Sequence, residues 1–180
     1  TYDKNTHVVF CYELQEWVLY DDSCYYANGK FPDVNTAPEV VNAITLSGND
    51  KLYVYGLEEL DPNHELKMPD NAIYKKCDSE KELLQRFIDR WVSLEIDVIS
   101  GWNVQFFDLP YLFQRIINVL GEEEVVKLSP WGYIDRRESK VFGKPQSYIL
   151  ITGISVLDYI PVYKKFKMKM QESYKLDHIA

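Results

Sequence analysis

The sequence predicts an α/β chain built around one mixed sheet. Its β-prone apolar runs and amphipathic helical segments follow in the order β-β-β-α-β-α-β(β)-α. Its 180 residues are 46% apolar and 14% aromatic, ample for a single core. No internal repeat or low-complexity stretch interrupts that order.

The first run, His7-Val-Val-Phe-Cys-Tyr-Glu-Leu14, is nearly continuous in β-branched and aromatic residues and too short for a helix. That suits a strand covered on both faces. From Tyr20 to Pro38, Asp21-Asp-Ser23, Asn28-Gly29 and Phe31-Pro-Asp33 crowd turn residues together and predict a long loop. Val40 to Leu46 and Lys51 to Tyr55 flank the polar turn Ser47-Gly-Asn-Asp50, a hairpin expected to extend the sheet begun by the first strand. Residues 58–77 are polar and Pro-containing and enter no element. Ser79-Glu-Lys-Glu82 is a capping-box pattern ahead of apolar positions 83, 84, 87, 88, 91 and 92, which predicts an amphipathic helix to about Ile96 with Trp91 on its core stripe.

Asp97 to Asn103 reads as a short strand. In Asp108-Leu-Pro110, Asp is a natural N-cap and Pro is tolerated in the first turn, so a second helix is expected from Leu109 to Leu120, closing at Gly121. Ser147 to Ile151 and Ile154 to Asp158 around Gly153 are further strand material. A basic helical segment, Val162 to Met168, and a short helix, Tyr174 to Ala180, complete the chain.

Twenty basic against 28 acidic residues give a net charge of −8, which disfavours gripping nucleic acid by bulk electrostatics alone. Cys11, Cys24 and Cys77 are odd in number, far apart and outside any C-x-x-C spacing, against both a disulfide framework and a zinc site. A reducing, intracellular compartment follows as the simpler expectation. No apolar run approaches the ~18–20 residues of a membrane span, so no membrane partner is expected. The polar start Thr1-Tyr-Asp-Lys-Asn-Thr6 has no signal-peptide core, and without an initiator Met the chain reads as a fragment of something longer.

Two acidic residues stand at element ends, Glu13 after the first strand and Asp108 at a helix start. If those elements are neighbours, the carboxylates converge. Clustered carboxylates take hard divalent cations such as Mg²⁺, and two such ions ~3.5–4 Å apart can activate water and stabilise the leaving oxygen of a phosphodiester. Spacing alone fits ordinary solvated or capping carboxylates better.

The setting of Asp108 is more specific. Ile99-Ser-Gly-Trp-Asn-Val-Gln-Phe-Phe-Asp-Leu-Pro-Tyr-Leu112 resembles the second exonuclease motif of family B DNA polymerases, in the form carried by T-even-like bacteriophages: Gly-Trp-Asn, a short spacer, Phe-Asp, then Pro-Tyr. Lys30-Phe-Pro-Asp33 with Ala37 and Ile44-Thr45 is similar to the family's segment after its first motif. Val156-Leu-Asp-Tyr-Ile160 with Tyr163-Lys-Lys-Phe166 is similar to a later strand and helix. The resemblance covers most of residues 7–180.

It implies a ribonuclease H-like fold, a mixed sheet flanked by helices. It implies a 3′→5′ proofreading exonuclease that hydrolyses the 3′-terminal phosphodiester of DNA with Mg²⁺ or Mn²⁺. The partners implied are a single-stranded DNA 3′ end and downstream polymerase domains, in the cytoplasm of a bacterial host if the chain is phage-encoded. By the same resemblance Asp108 is the second-motif metal ligand, and Asn103 and Phe107 line the path of the 3′ end.

The first motif departs from the family's Asp-x-Glu. One register gives Glu13-Leu14-Gln15 and the other Cys11-Tyr12-Glu13, so Glu13 survives in both while neither supplies two carboxylates. Glu13 is the second expected ligand, and Gln15 a group that coordinates weakly through its carbonyl oxygen without bringing charge. The chain ends after Tyr174-Lys-Leu-Asp-His-Ile-Ala180, which is similar to the segment before the third motif. Residues 1–180 are accordingly expected to be a single exonuclease-like domain cut short before that motif. A catalytically incomplete domain, serving as a structural or single-strand-binding module, is the alternative. A stand-alone nuclease of the same fold with another substrate is a third reading.

Other features carry less. Phe31, with Tyr25 and Tyr26, sits in the long loop, where aromatics either stack on a frayed primer end or pack the loop onto the sheet. Lys164, Lys165, Lys167 and Lys169, interleaved with Tyr163 and Phe166, read as a phosphate-contacting run or, more commonly, as a solvated helix face. His7, His64 and His178 show no metal-ligand spacing.

Overall fold

The computed structural model describes residues 7–10, 33–59, 68–141 and 144–167. Its centre is a parallel ladder of three short strands, β1 (His7–Phe10), β5 (Val98–Gly101) and β8 (Ser155–Asp158), with β5 in the middle. The last paired row runs Phe10, Gly101, Asp158, so all three strands end at one edge. In parallel α/β sheets the carboxyl ends of the strands open into the crevice where ligands bind.

A second ladder orders β2 (Ala43–Gly48), β3 (Lys51–Gly56) and β4 (Ala72–Lys76), with β2 and β3 antiparallel and β3 and β4 parallel. The β2–β3 hairpin turns on Asn49 and Asp50 at φ of 52° and 58°, the left-handed pair that a two-residue primed turn needs. β2 lies next to β1, so the hairpin continues the layer that β1 begins, as the sequence leads one to expect. β4 corrects the expectation that residues 58–77 enter no element. Its sequence Ala72-Ile-Tyr-Lys-Lys76 is largely exposed, and pairing to β3 rather than an apolar face makes it a strand.

The mixed α/β layering agrees with the expected fold class. β6 (Ile134–Val141) and β7 (Lys144–Ile151) form a separate antiparallel ribbon beside it, and β6 is a strand that the sequence pattern does not predict. β6 reads Ile-Asp-Arg-Arg-Glu-Ser-Lys-Val, without the apolar alternation of a half-buried strand. Only the cross-strand pairing reveals it.

Helix α1 (Glu80–Ser93) starts as its capping box predicts: Ser79 accepts the Glu82 N–H at 3.2 Å, and Glu82 reaches back to the Asp78 N–H at 2.9 Å. It stops short of Ile96, with Glu95 in the left-handed region at φ 48°. Its buried stripe of Leu83, Leu84, Phe87, Ile88 and Trp91 packs on β2, β3 and the second helix. Full burial of such side chains stabilises by roughly 1.5–3 kcal/mol each. The Trp91 indole N–H donates to the Leu128 carbonyl at 2.8 Å, so its polar edge is satisfied inside the core.

Helix α2 (Leu109–Leu120) ends at Gly121, whose φ of 102° is a conformation that side chains resist. Its Arg115 grips Glu80 of α1 through two 2.7 Å hydrogen bonds and also donates to the Ala37 and Pro38 carbonyls. Tyr111 and Asn118 donate to the Glu39 and Thr36 carbonyls, so residues 36–39 are strapped onto α2. A short helix α3 (Glu122–Val125), a 3-10 turn (Val126–Leu128), and α4 (Tyr159–Phe166) complete the elements. α4 begins three residues before the Val162 start read from the sequence. The expected helix Tyr174 to Ala180 lies outside the described residues.

Candidate active site

The edge where the parallel strands end carries the second-motif segment. After β5 the chain turns at Asn103, which sits in the left-handed region (φ 62°, ψ 17°), and enters a π-helical turn, Val104–Asp108. The Leu109 N–H then bonds the Val104 carbonyl five residues back before α2 takes up its regular path. Such π turns recur at functional sites.

This overturns the N-cap expectation for Asp108. The residue has helical angles (φ −61°, ψ −53°), makes no side-chain cap bond, and lies inside a continuous helical path rather than at its start. With the cap role gone, its carboxylate turns into the interior, where the residue is 2% exposed. One oxygen, Oδ1, has no hydrogen-bond partner among the described residues. A buried, unsatisfied carboxylate oxygen is costly, and the charged form bears most of that cost. Burial accordingly pushes the Asp108 carboxyl well above the usual range; its own backbone N–H pulls the other way, and the negative charge of Asp158 adds to the rise.

Asp158 is the carboxylate that sequence reasoning did not assign to the site. It ends β8 and caps α4, accepting the Ile160 N–H at 2.9 Å. The same carboxylate accepts the backbone N–H groups of Asn103 at 3.2 Å and Gln105 at 3.1 Å. At 4% exposure it is as enclosed as Asp108, yet three donors satisfy it. The local half of its role was readable, since Asp before a helical segment is a cap signal. The other half spans 53 and 55 residues of chain and leaves no local signature.

The remaining expected residues divide in two. Asn103 and Phe107 are half-buried on the same turn as Asp108. The Asn103 carbonyl accepts the N–H groups of Phe106 and Phe107, and the Phe107 ring stacks on Tyr111 with centroids 6.1 Å apart and planes 21° from parallel. Trp102, next to Asn103, meets Tyr163 of α4 edge-on at 5.5 Å. Glu13, Gln15 and Phe31 lie outside the described residues, as do Cys11, Cys24, Tyr25, Tyr26, Lys169, His64 and His178. β1 is described to Phe10, in the same row as Gly101 and Asp158. In the basic run, Lys167 lies 5.2 Å from the Tyr163 ring and Lys165 lies 5.8 Å from the Phe166 ring. Cys77 is a buried free thiol.

No group of three or more His, Cys, Asp or Glu that could hold a metal is present among the described residues. The chemistry of Asp108 fits a hard cation: its buried Oδ1 has no hydrogen-bond partner among the described residues, and a second negative charge lies nearby. Asp158 fits less well, because three N–H groups already face its two oxygens.

A family model described as DNA polymerase family B, exonuclease domain, matches residues 10–179. The DNA-directed DNA polymerase of Escherichia phage RB69 is 34% identical over 172 residues, which is 83% of this chain and 19% of that protein. That of Enterobacteria phage T4 is 30% identical over 174 residues, 84% of this chain and 19% of that protein. The DNA polymerase catalytic subunit of Human herpesvirus 6A is 30% identical over 201 aligned positions, covering 98% of this chain and 18% of the subunit. The chain therefore spans about a fifth of the length of these curated relatives. No helix among the described residues is long and apolar enough to cross a membrane.

Proposed function

Because the chain belongs to the exonuclease-domain family of the family B DNA polymerases, we propose that it is a 3′→5′ proofreading exonuclease domain acting on the 3′ end of single-stranded DNA. The reaction is hydrolysis of the terminal phosphodiester. One observation carries the reading: Asp108 is buried with an open carboxylate oxygen, on a helical turn at the carboxyl edge of the parallel strands.

Asp108 and Glu13 would hold Mg²⁺ or Mn²⁺, with Gln15 a weaker neutral contact. The cation would supply Lewis-acid activation of the attacking water and charge stabilisation at the leaving oxygen. The chain's own residues do the rest. Asn103, Phe107 and Phe31 would line the path of the 3′ nucleotide, its base against the aromatic faces. The enclosed position of Asp108 strengthens its pull on a cation, since few water dipoles compete there. The longer relatives support residues 1–180 as one domain of a polymerase, with polymerase domains as its partners inside the cell, the cytoplasm of a bacterial host if the chain is phage-encoded.

The first motif favours a second reading. Cys11 or Gln15 stands where the family has a carboxylate, so the site would be short of negative charge and the domain would bind a single strand without cutting it. Incubating the full chain with 3′-labelled single-stranded DNA and Mg²⁺ or Mn²⁺ separates the two. Shortening that Asp108→Ala lowers by more than about 100-fold supports the exonuclease, since misplacement of ~1 Å already costs that much. Retained DNA binding without shortening, or equal shortening by the variant, supports the second reading.

A further inference from the structure

We propose that Asp158 is a positioning residue of the exonuclease site, its carboxylate tethering the turn that carries Asn103 and Asp108 to the end of β8. The proposal rests on the exonuclease reading above. The observation behind it is the convergence of three backbone donors on one enclosed side chain.

The turn needs such a tether. Asn103 is a non-glycine residue at φ 62°, a conformation that Asn tolerates better than most side chains but that its neighbours still have to hold in place. Its carbonyl is engaged on one side by the N–H groups of Phe106 and Phe107. Its own N–H and that of Gln105 point the other way, into the Asp158 carboxylate. Asp158 is itself held firmly, by the β5–β8 ladder and by the α4 cap it forms. Ser100 adds a lock one row earlier, its hydroxyl donating to the Leu157 carbonyl at 2.9 Å. The Trp102–Tyr163 contact braces the turn against α4. The left-handed residue, the π turn and the Asp108 carboxylate therefore follow in fixed order from one anchor on a neighbouring strand.

The chemistry requires Asp at this position. An ionised carboxylate only accepts, so both oxygens can face N–H groups. Oδ1 takes Asn103 and Ile160, and Oδ2 takes Gln105. An amide in its place must aim its NH₂ at one of these donors, while a serine hydroxyl can keep the helix cap but cannot span to both turn amides. Asp158→Asn and Asp158→Ser thus preserve the cap of α4 and remove part or all of the tether.

The test uses the full chain and both variants. Three quantities are read: kcat and KM for shortening of 3′-labelled single-stranded DNA with Mn²⁺, hydrogen exchange at the Asn103 and Gln105 amides, and cooperative thermal melting. Expected are intact melting, faster exchange at one or both amides, and kcat lower by about 10- to 100-fold with KM within about three-fold, the mark of misaligned groups rather than lost binding. Wild-type kcat in a folded variant, or unchanged exchange at both amides, overturns the proposal. Loss of cooperative melting in both variants also overturns it, in favour of a purely structural role. If the wild-type chain shortens no DNA, the exonuclease reading fails by itself, and the exchange measurement alone then decides for or against the tether.

Discussion

Two enclosed aspartates at the same edge meet opposite fates, and hydrogen bonding decides which. Asp158 is surrounded by donors; Asp108 has an open oxygen and a like charge nearby. In the metal-free protein the Asp108 carboxyl keeps its proton above the value near 3.9 at which an unfolded chain releases it. The native state then binds more protons than the unfolded state in that window. The corresponding stability is full below about pH 3.9 and is lost as pH rises through the elevated folded value. With chelator present, Asp108→Asn should therefore melt above the wild type at pH 7, and the gap should close toward pH 4. Circular dichroism melts at the two pH values check this; a gap of equal size at both would contradict it. The same substitution should abolish DNA shortening, a case in which activity and stability move in opposite directions.

At the scale of elements, Arg115 is the tie with the largest expected effect. Its guanidinium and Glu80 are both mostly enclosed, and the same group holds the Ala37 and Pro38 carbonyls. Truncating it leaves a buried carboxylate without its counter-charge, so Arg115→Ala should cost roughly 3–5 kcal/mol in urea unfolding. Ser79→Ala removes only one exposed cap bond and should cost about 1 kcal/mol. Arg115→Lys should fall between them, because an ammonium cannot reproduce the fork. The same elements explain what the sequence discloses. Helix α1, the β2–β3 hairpin and the Gly121 stop are written locally, in a capping box, a polar two-residue turn and a glycine. β4 and β6 are not, because they are polar segments made into strands by their partners. The site is legible to the same extent: the run ending at Asp108 identifies the motif, whereas its burial and the role of Asp158 depend on which strand lies beside β5. Gly153 shows both sides. Its φ of 93° marks a turn, but the nearness of Pro130, 2.6 Å from where a Cβ would stand, appears only in three dimensions.

For the whole molecule, the central ladder joins residues 7–10, 98–101 and 155–158, whose paired rows lie 91 (98 − 7) and 57 (155 − 98) residues apart. Such non-local pairings incur loop-closure entropy before their contacts reward it, and they slow folding. The site edge therefore exists only once these three distant segments have met. A fragment of residues 1–154 lacks β8 and leaves the Asn103 and Gln105 amides without their acceptor. It should lose the cooperative melt of the full chain, and a sharp transition in its circular dichroism would refute this. The π turn at Val104–Asp108 sets a different limit. Because Leu109 bonds five residues back, this turn holds one residue more than an ordinary helical turn. Four residues of an ordinary helix at ~100° each and five in the wider π turn sweep nearly the same angle, so deleting any one of residues 104–107 would let the regular ladder close with Leu112 and Ile116 still facing the core. What the deletion would remove is the wide turn that arranges Asn103, Phe107 and Asp108. This segment can therefore shorten without unseating the helix behind it, and what it gives up is the turn itself.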